Sequence, residues 1–210
     1  RKTATRITEG DLWDIDVSPV GNALAYVKSG ENGRDQMWVV PLDPRTGVAT
    51  GPDRRLTVIP GSMPRFSPDG RSVAFMAFDS LPFISKLMVV PTTGGPERVV
   101  VRVAGGLGGT INWSPDGRTL FYSEQRQPDP GVQTLYRVPL VGGQPARLVT
   151  TVMGGLLSPD GKHIVIQDSS DFQRKIIIDP NGRQVTSFRI PRGYTFVGWR
   201  DSNKLLFTTT

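Results

Sequence analysis

The feature that most constrains this chain is a short phrase, Ser-Pro-Asp-Gly, that returns at nearly regular intervals. Complete copies begin at Ser67, Ser114 and Ser158, and a worn copy begins at Ser18. With Arg200 as the fifth equivalent position, the steps between copies are 49, 47, 44 and 42 residues. Self-similarity at this period indicates a supersecondary unit that is repeated and packs against copies of itself.

Each repeat carries the same order of strand and turn signals. In the turn, proline presets φ, aspartate tolerates the bridge region and glycine takes the left-handed position. Further strands and a glycine turn follow, so each unit predicts a four-stranded antiparallel sheet. At Asn181-Gly182 the sequence predicts a two-residue hairpin with positive φ at both positions. A short apolar run follows the first turn in every copy, at 23–27, 73–78, 119–123, 163–166 and 204–207.

One such sheet cannot bury both of its faces, whereas stacked copies bury apolar strands between neighbouring sheets. We therefore expect an all-β protein, a β-propeller of four-stranded antiparallel blades. The expected blades lie at 11–57, 62–101, 109–151 and 154–190, with a partial blade at 194–210 and the outer strand of a preceding blade at 1–10. The chain is then either part of a larger propeller of roughly six to eight blades or a small ring that its N-terminal strand closes.

Composition limits the partners and the chemistry. The absence of cysteine excludes disulfides, thiolate metal sites and a cysteine nucleophile. A formal net charge of +6 suits nucleic acid, but Arg71, Arg118 and Lys162 follow equivalent turns, one to a repeat. This distribution predicts a solvated basic surface and no nucleic-acid partner. No apolar run approaches the ~18 residues of a membrane span, so we expect no direct membrane insertion.

Catalytic and ligand-binding motifs are not found in the sequence. His163 is the sole histidine and follows a predicted turn, and no Gly-x-Ser-x-Gly elbow occurs. The glycine-rich segment at 105–109 fits no phosphate loop. Asp14-Ile15-Asp16 begins like a calcium loop, but Pro19 stands where the turn glycine is required. We therefore expect no catalytic residue, cofactor or metal in this chain, although a catalytic domain elsewhere in a longer protein is allowed.

The repeated aspartates look at first like a set of carboxylates for catalysis. Their position inside the repeated turn gives a simpler explanation, because aspartate forms turns by bonding to backbone groups two residues on. We expect Asp69, Asp116 and Asp160 to be turn residues, each in its own blade.

The segment at 113–122, followed by Leu-Tyr-Arg-Val-Pro at 135–139, resembles the WD40-like repeats of bacterial TolB-like propellers. The resemblance extends from about Ile7 to Phe207, although the first unit lacks the turn aspartate and the fifth lacks the glycine. Related repeats occur in periplasmic TolB, before prolyl-oligopeptidase-type and tricorn-type peptidase domains, and beside bacterial kinase domains. The resemblance implies a propeller in the bacterial periplasm or another extracytoplasmic compartment, and leaves the function open.

The loops indicate where a partner binds. In an up-and-down blade the first and third turns lie at one edge, and the second loop and the link to the next blade lie at the other. The first set is short and repetitive here and the second set varies, which is typical of a binding face. Within one variable loop Leu81, Phe83 and Ile84 are apolar. They either cap neighbouring strands or contact a protein partner or an attached domain.

The leading hypothesis is a non-catalytic scaffold that binds protein or peptide partners through the variable loops. The alternative is an accessory or substrate-gating propeller of a larger serine peptidase of prolyl-oligopeptidase-like or tricorn-like type. A third possibility is the sensor region of a bacterial kinase.

Overall fold

The structure is a computed structural model and describes residues 12–29, 35–79, 84–104, 106–125 and 131–209. Within these ranges every regular element is a β-strand, and the chain divides into two compact units, Arg1–Ala104 and Gly105–Thr210. The prediction for residues 1–10 lies outside the described ranges.

The first unit contains two four-stranded antiparallel sheets, each in sequential strand order. The strands of sheet 1 are β1 (Leu12–Val17), β2 (Ala23–Ser29), β3 (Asp35–Pro41) and β4 (Arg54–Arg55). The strands of sheet 2 are β5 (Gly61–Phe66), β6 (Ser72–Asp79), β7 (Ile84–Pro91) and β8 (Arg98–Ala104).

The second unit contains two further sheets of the same kind and one strand pair. The strands of sheet 3 are β9 (Gly106–Trp113), β10 (Thr119–Gln125), β11 (Gln133–Pro139) and β12 (Ala146–Thr151). The strands of sheet 4 are β13 (Gly155–Leu157), β14 (Ile164–Gln167), β15 (Arg174–Ile178) and β16 (Gln184–Arg189). Sheet 5 pairs β17 (Tyr194–Asp201) with β18 (Lys204–Thr209). These sheets confirm the predicted all-β class and its four-stranded antiparallel unit.

Burial explains why the runs after the turns hardly alternate. In β2, Ala23 and Ala25 pack into one apolar cluster, while Leu24 and Tyr26 pack into a second cluster on the opposite face. Successive side chains of a strand point to opposite faces, so a strand covered on both faces is apolar throughout. The cluster that joins sheets 1 and 2 contains Ala23, Ala25, Met37, Val39, Leu56, Phe66, Val73, Phe75, Ala77, Met88 and Val90.

The second unit uses the same principle with aliphatic side chains. Ile164 and Ile166 of β14 pack on Phe121 and Leu135 of sheet 3, together with Ile178. Burying a side chain of this size stabilises a fold by roughly 1.5–3 kcal/mol. The contact between sheets 3 and 4 is therefore a sheet-to-sheet core like that between sheets 1 and 2.

The turn at Asn181-Gly182 differs from the prediction. Only Gly182 has a positive φ, of 87°, and Asn181 does not. The Gly182 amide donates to the Asp179 carbonyl at 2.9 Å, and the register shifts by one residue between Ile177 and Ile178. The hairpin therefore has a three-residue loop and a bulge, in which a left-handed residue is needed only once. The prediction of positive φ at Asn181 was wrong.

Candidate functional site

We call the end of each sheet that carries the Ser-Pro-Asp-Gly turn its turn edge, and the opposite end its loop edge. At the turn edge the Ser67 hydroxyl donates to Asp69 Oδ1 at 2.6 Å and accepts from the Ser72 amide at 3.0 Å. The same carboxylate oxygen accepts from the Arg71 amide at 3.1 Å. These bonds repeat at Ser114–Asp116 and Ser158–Asp160.

The turn hydrogen bonds explain the electrostatics of these aspartates. Donation from the serine hydroxyl, and then from the backbone amide two residues on, holds the pKa of Asp69, Asp116 and Asp160 below its ordinary value. Each carboxylate accepts hydrogen bonds from groups of its own turn. They are structural groups, as the sequence analysis expected.

Glycine lets neighbouring turns approach each other. A Cβ at Gly70 would lie 2.6 Å from Ser18 Oγ and 2.8 Å from Val20 Cγ2. A Cβ at Gly161 would lie 2.5 Å from Pro115 Cδ. Within each unit, therefore, one turn rests on the turn before it, and the turn edge is a packed surface.

His163 takes part in this packing. Its amide donates to Ser158 Oγ at 3.0 Å, and its ring stacks on the Trp199 ring with centroids 6.4 Å apart. The Trp199 indole donates to the Leu156 carbonyl at 2.9 Å. The histidine lies at the turn edge, as predicted, and its contacts hold sheet 4 to sheet 5.

The two aspartates of the Asp14-Ile15-Asp16 segment have a structural role. Asp16 Oδ2 accepts from the Phe66 amide at 2.7 Å, and Asp14 Oδ2 accepts from the Met63 amide at 3.2 Å. These bonds link β1 to β5. Burial raises the pKa of Asp16, although the Phe66 amide and the Arg65 charge oppose the shift. No group of three or more histidine, aspartate or glutamate side chains suited to a metal ion occurs among the described residues.

The loop edge of unit 2 carries a hydrogen-bonded loop between β14 and β15. The Gln167 amide donates to the carbonyls of Asp171 and Arg174 at 3.0 Å each, from a side chain that is buried. Asp168 Oδ1 accepts from the Ser170 amide at 2.8 Å, and the Ile190 amide donates to the Gln173 carbonyl at 2.7 Å. The loop is therefore held by the buried Gln167 side chain and by a backbone hydrogen bond to the chain segment after β16.

Phe172 projects from the tip of this loop and is 70% exposed. Two ion pairs flank it, Arg174 with Asp168 at 3.5 Å and Arg189 with Asp171 at 2.5 Å. At the same edge of the unit, exposed Met153 lies in the link between β12 and β13, and exposed Tyr194 is the first residue of β17. This connection is one of the second loops that the sequence analysis described as variable, and Phe172 was not singled out there. A lone aromatic residue in a polar loop was the signal available.

In unit 1 the loop edge exposes Val58 and Phe78. The Arg55 guanidinium donates to the carbonyls of Thr57 and Val58, and Glu97 accepts from the Val58 amide at 2.5 Å. Of the predicted partner-binding residues, Leu81 and Phe83 lie outside the described ranges. Ile84 is the first residue of β7, where it pairs with Asp79 and is half-buried.

An irregular part of β9 lies on the loop-edge half of sheet 3. Leu107 pairs with Glu124 and Ile111 with Tyr122, so residues 108–110 oppose Ser123 alone. The Ser123 hydroxyl and Gln133 Oε1 are buried without a hydrogen-bond partner, and a side chain at Gly108 would overlap both oxygens. Bulges with buried unpaired groups occur often near functional sites.

No helix in the described part of the chain is long and apolar enough to cross a bilayer. No family model matches the chain. Tricorn protease homolog 1 of Streptomyces coelicolor is 26% identical over 178 residues, which cover 84% of this chain and 14% of that protein. The chain thus spans a small part of this curated relative.

Solved structures share the fold. TolB from Acinetobacter baumannii superposes with a TM-score of 0.61 at 21% identity, covering 94% of this chain and 51% of that one. The β-propeller domain of the Trilobed protease from Pyrococcus furiosus gives a TM-score of 0.60 at 16% identity, covering 89% of this chain and 59% of that one. These likenesses confirm the fold that the repeats indicated: the chain is a β-propeller, and its solved neighbours include TolB and the propeller domain of a protease.

Proposed function

We propose that this propeller is a non-catalytic scaffold that binds a protein or peptide partner through its loop edge. The observation that carries the proposal is Phe172, an exposed aromatic side chain on a loop that its own hydrogen bonds hold in place. Side chains that are already ordered lose little entropy on binding, so a rigidly presented aromatic group is an effective anchor.

The difference between the two edges supports this assignment. The large apolar side chains exposed at the loop edges include Phe78 in unit 1 and Met153, Phe172 and Tyr194 in unit 2. Those exposed in the turns of the turn edges are valines, at Val20, Val48 and Val141. Aromatic residues and methionine are enriched at protein interfaces relative to the rest of the surface.

Site-specific photo-crosslinking tests the proposal in the native host. Benzoylphenylalanine at position 172 should form an adduct with the partner, whereas the same group at position 141, on the turn edge, should not. Val141 is a suitable control because it is 94% exposed and lies at the opposite edge. Adducts formed at position 141 but not at 172 would place the binding surface at the opposite edge.

The predicted set Leu81, Phe83 and Ile84 belongs to the same proposal as a second contact region. Replacing Phe83 with serine should weaken capture of the crosslinked partner while the unfolding transition stays unchanged. Val141→Ser is the control for loss of an exposed apolar group. Equal capture by wild type and Phe83→Ser would remove this loop from the binding surface.

A second candidate function is an accessory propeller of a larger peptidase, in which the loop edge meets a catalytic domain outside the described chain. The match to tricorn protease homolog 1 favours it, because that relative is a protease homologue and its matching segment is a small part of it. Mass spectrometry of the native protein tests it. Tryptic peptides from a fused domain with a Gly-x-Ser-x-Gly elbow support the peptidase, and further blades alone support the scaffold.

For the cellular location we propose the bacterial periplasm or another extracytoplasmic compartment, on the strength of the TolB-like fold. Fractionation of the native host with an antibody against the propeller tests this proposal. Recovery with cytoplasmic markers would contradict it.

A further inference from the structure

We infer that the surface formed by Phe172, Arg174, Arg189 and Arg192, here called the Phe172 patch, binds an acidic segment that carries an apolar side chain. The inference rests on the proposed function and names the chemistry of the partner. It concerns unit 2 only.

Hydrogen bonds and strand pairing bring the parts of the patch together. Asp171, next to Phe172, pairs with Arg189, which opposes Arg174 in the register of β15 and β16. The Ile190 amide donates to the Gln173 carbonyl, so the chain that leads to Arg192 runs beside the loop tip. The two chain neighbours of Phe172 are therefore bound to Arg189 and to the segment that leads to Arg192.

In both ion pairs of the patch the arginine side chain is more exposed than the aspartate side chain. In the Arg174–Asp168 pair the arginine side chain is 41% exposed and the carboxylate side chain 10%. In the Arg189–Asp171 pair the values are 70% and 24%. Both aspartates also accept backbone amides of the loop, at Ser170 and Gln173, which keeps them turned inward. The guanidinium groups are consequently more exposed to a partner than the carboxylates, although Arg174 also donates to the Ser187 hydroxyl at 3.0 Å.

Arg192 adds a third cation. It is exposed in the turn between β16 and β17, where the Tyr194 amide donates to the Pro191 carbonyl at 3.2 Å. The patch therefore carries three positive and two negative side chains, with the negative ones more buried. Guanidinium groups bind carboxylates through paired N–H donors, and an aromatic face accepts an apolar side chain. An acidic, apolar-centred segment complements both features.

Fluorescence anisotropy with defined probes tests the inference on the 210-residue chain. The probe is fluorescein-labelled Asp-Glu-Phe-Glu-Asp, and the control peptides replace its phenylalanine with alanine or its acids with lysine. We expect saturable binding of the first peptide, and binding at least about tenfold weaker for each control. Raising the salt concentration should weaken binding further, because the attraction is screened.

Variants locate the binding. Phe172→Ala and Arg192→Glu should each weaken binding of the acidic probe by about tenfold, while Val141→Ala leaves it unchanged. Arg192→Glu leaves the ion pairs of the loop in place, so its effect reports charge rather than folding. Equal affinity for the lysine and acidic peptides, or an unchanged affinity in both variants, would overturn the inference.

The outcomes separate this inference from the proposed function. If no acidic probe binds but benzoylphenylalanine at position 172 still captures a native partner, the acidic chemistry is wrong and the loop-edge proposal stands. If neither the probe nor the crosslink reports binding at Phe172, both are wrong.

Discussion

The chain reverses direction at both ends of sheet 4, but the two reversals are stabilised differently. At the turn edge, Ser158, Asp160 and Gly161 form a turn that is nearly identical to the turn of sheet 3 and packs against it. At the loop edge, a six-residue connection is held by Gln167 and the ion pairs of Arg174 and Arg189, and it exposes Phe172.

The difference shows which part of the repeat is free to vary. Packing between adjacent turns leaves no room for a side chain at the turn glycine, so sheets 2, 3 and 4 keep the same turn sequence. At the loop edge of sheet 4 the connection is held mainly by hydrogen bonds of its own residues, so such a loop can be built differently in each sheet. A repeat protein can thus change its binding surface without changing its core.

The largest expected effect is at the packed turn. Gly161→Ala places a methyl group against the Pro115 ring at a position with φ of 72°. Backbone strain and overlap together should lower the free energy of unfolding by about 3 kcal/mol. Gly142→Ala, at φ of 63° with no atom within 4 Å, carries the strain alone and should lose about 1 kcal/mol. Equal losses in urea denaturation would show that the turns do not pack tightly.

Two buried serines of unit 2 should respond with opposite signs. Ser158 bonds to Asp160 and to the His163 amide, whereas the Ser123 hydroxyl is fully buried without a partner. Removing a paired hydroxyl leaves its partners unsatisfied, so Ser158→Ala should lose about 1 kcal/mol. Ser123→Ala removes an unsatisfied group and should gain up to about 1 kcal/mol. A loss at Ser123 measured by denaturant unfolding would mean that its hydroxyl has a partner.

Two aspartates of unit 1 should show opposite pH dependence. The lowered pKa of Asp69 stabilises the fold above pH 3.8, the ordinary value, and this contribution is lost as the pH falls through the folded pKa. Asp69→Asn should therefore be less stable than wild type at pH 7, with a difference that shrinks in acid. The raised pKa of Asp16 has the opposite sign, because ionisation as the pH rises above 3.8 costs stability.

Asp16→Asn should consequently match or exceed wild type at pH 7 and lose that advantage as the pH falls toward 3.8. The amide oxygen of asparagine still accepts the Phe66 amide, so the link between β1 and β5 is kept. Unfolding curves from pH 3 to pH 7 measure both variants. If the stability of the two variants changed with pH in the same way, the turn carboxylate and the strand carboxylate would not have pKa values shifted in opposite directions.

The repeat made most of the fold predictable. The runs after the turns predicted β2, β6, β10, β14 and β18. In the first four of these strands consecutive side chains are buried, because a strand covered by sheets on both faces is apolar throughout. The turn at Asn181 was predicted wrongly because a three-residue loop with a bulge needs only one left-handed residue, and Asn-Gly suits either geometry. The Asn-Gly pair indicated that a turn occurs here, and the register of β15 and β16 determined which type of turn it is.

The candidate site was less predictable, for a physical reason. Phe172 is exposed because Gln167, buried in β14, binds the carbonyls of the loop, and because Arg189 reaches Asp171 from another strand. Those contacts join residues that no repeat or spacing brings together in the sequence. The repeat identified the variable loops as a class, and the contacts determine which of their side chains is presented.

The smallest expected effect concerns the side chain on which the functional proposal depends. Phe172→Ser removes an exposed ring that lies outside the apolar clusters, so the free energy of unfolding should stay within about 0.5 kcal/mol of wild type. Binding through the loop edge should nevertheless be lost. Gln167→Leu, which removes the bonds to the loop carbonyls, should weaken binding while Phe172 is still present. If Gln167→Leu binds as wild type does, exposure alone makes Phe172 an anchor and the rigidity of its loop does not contribute.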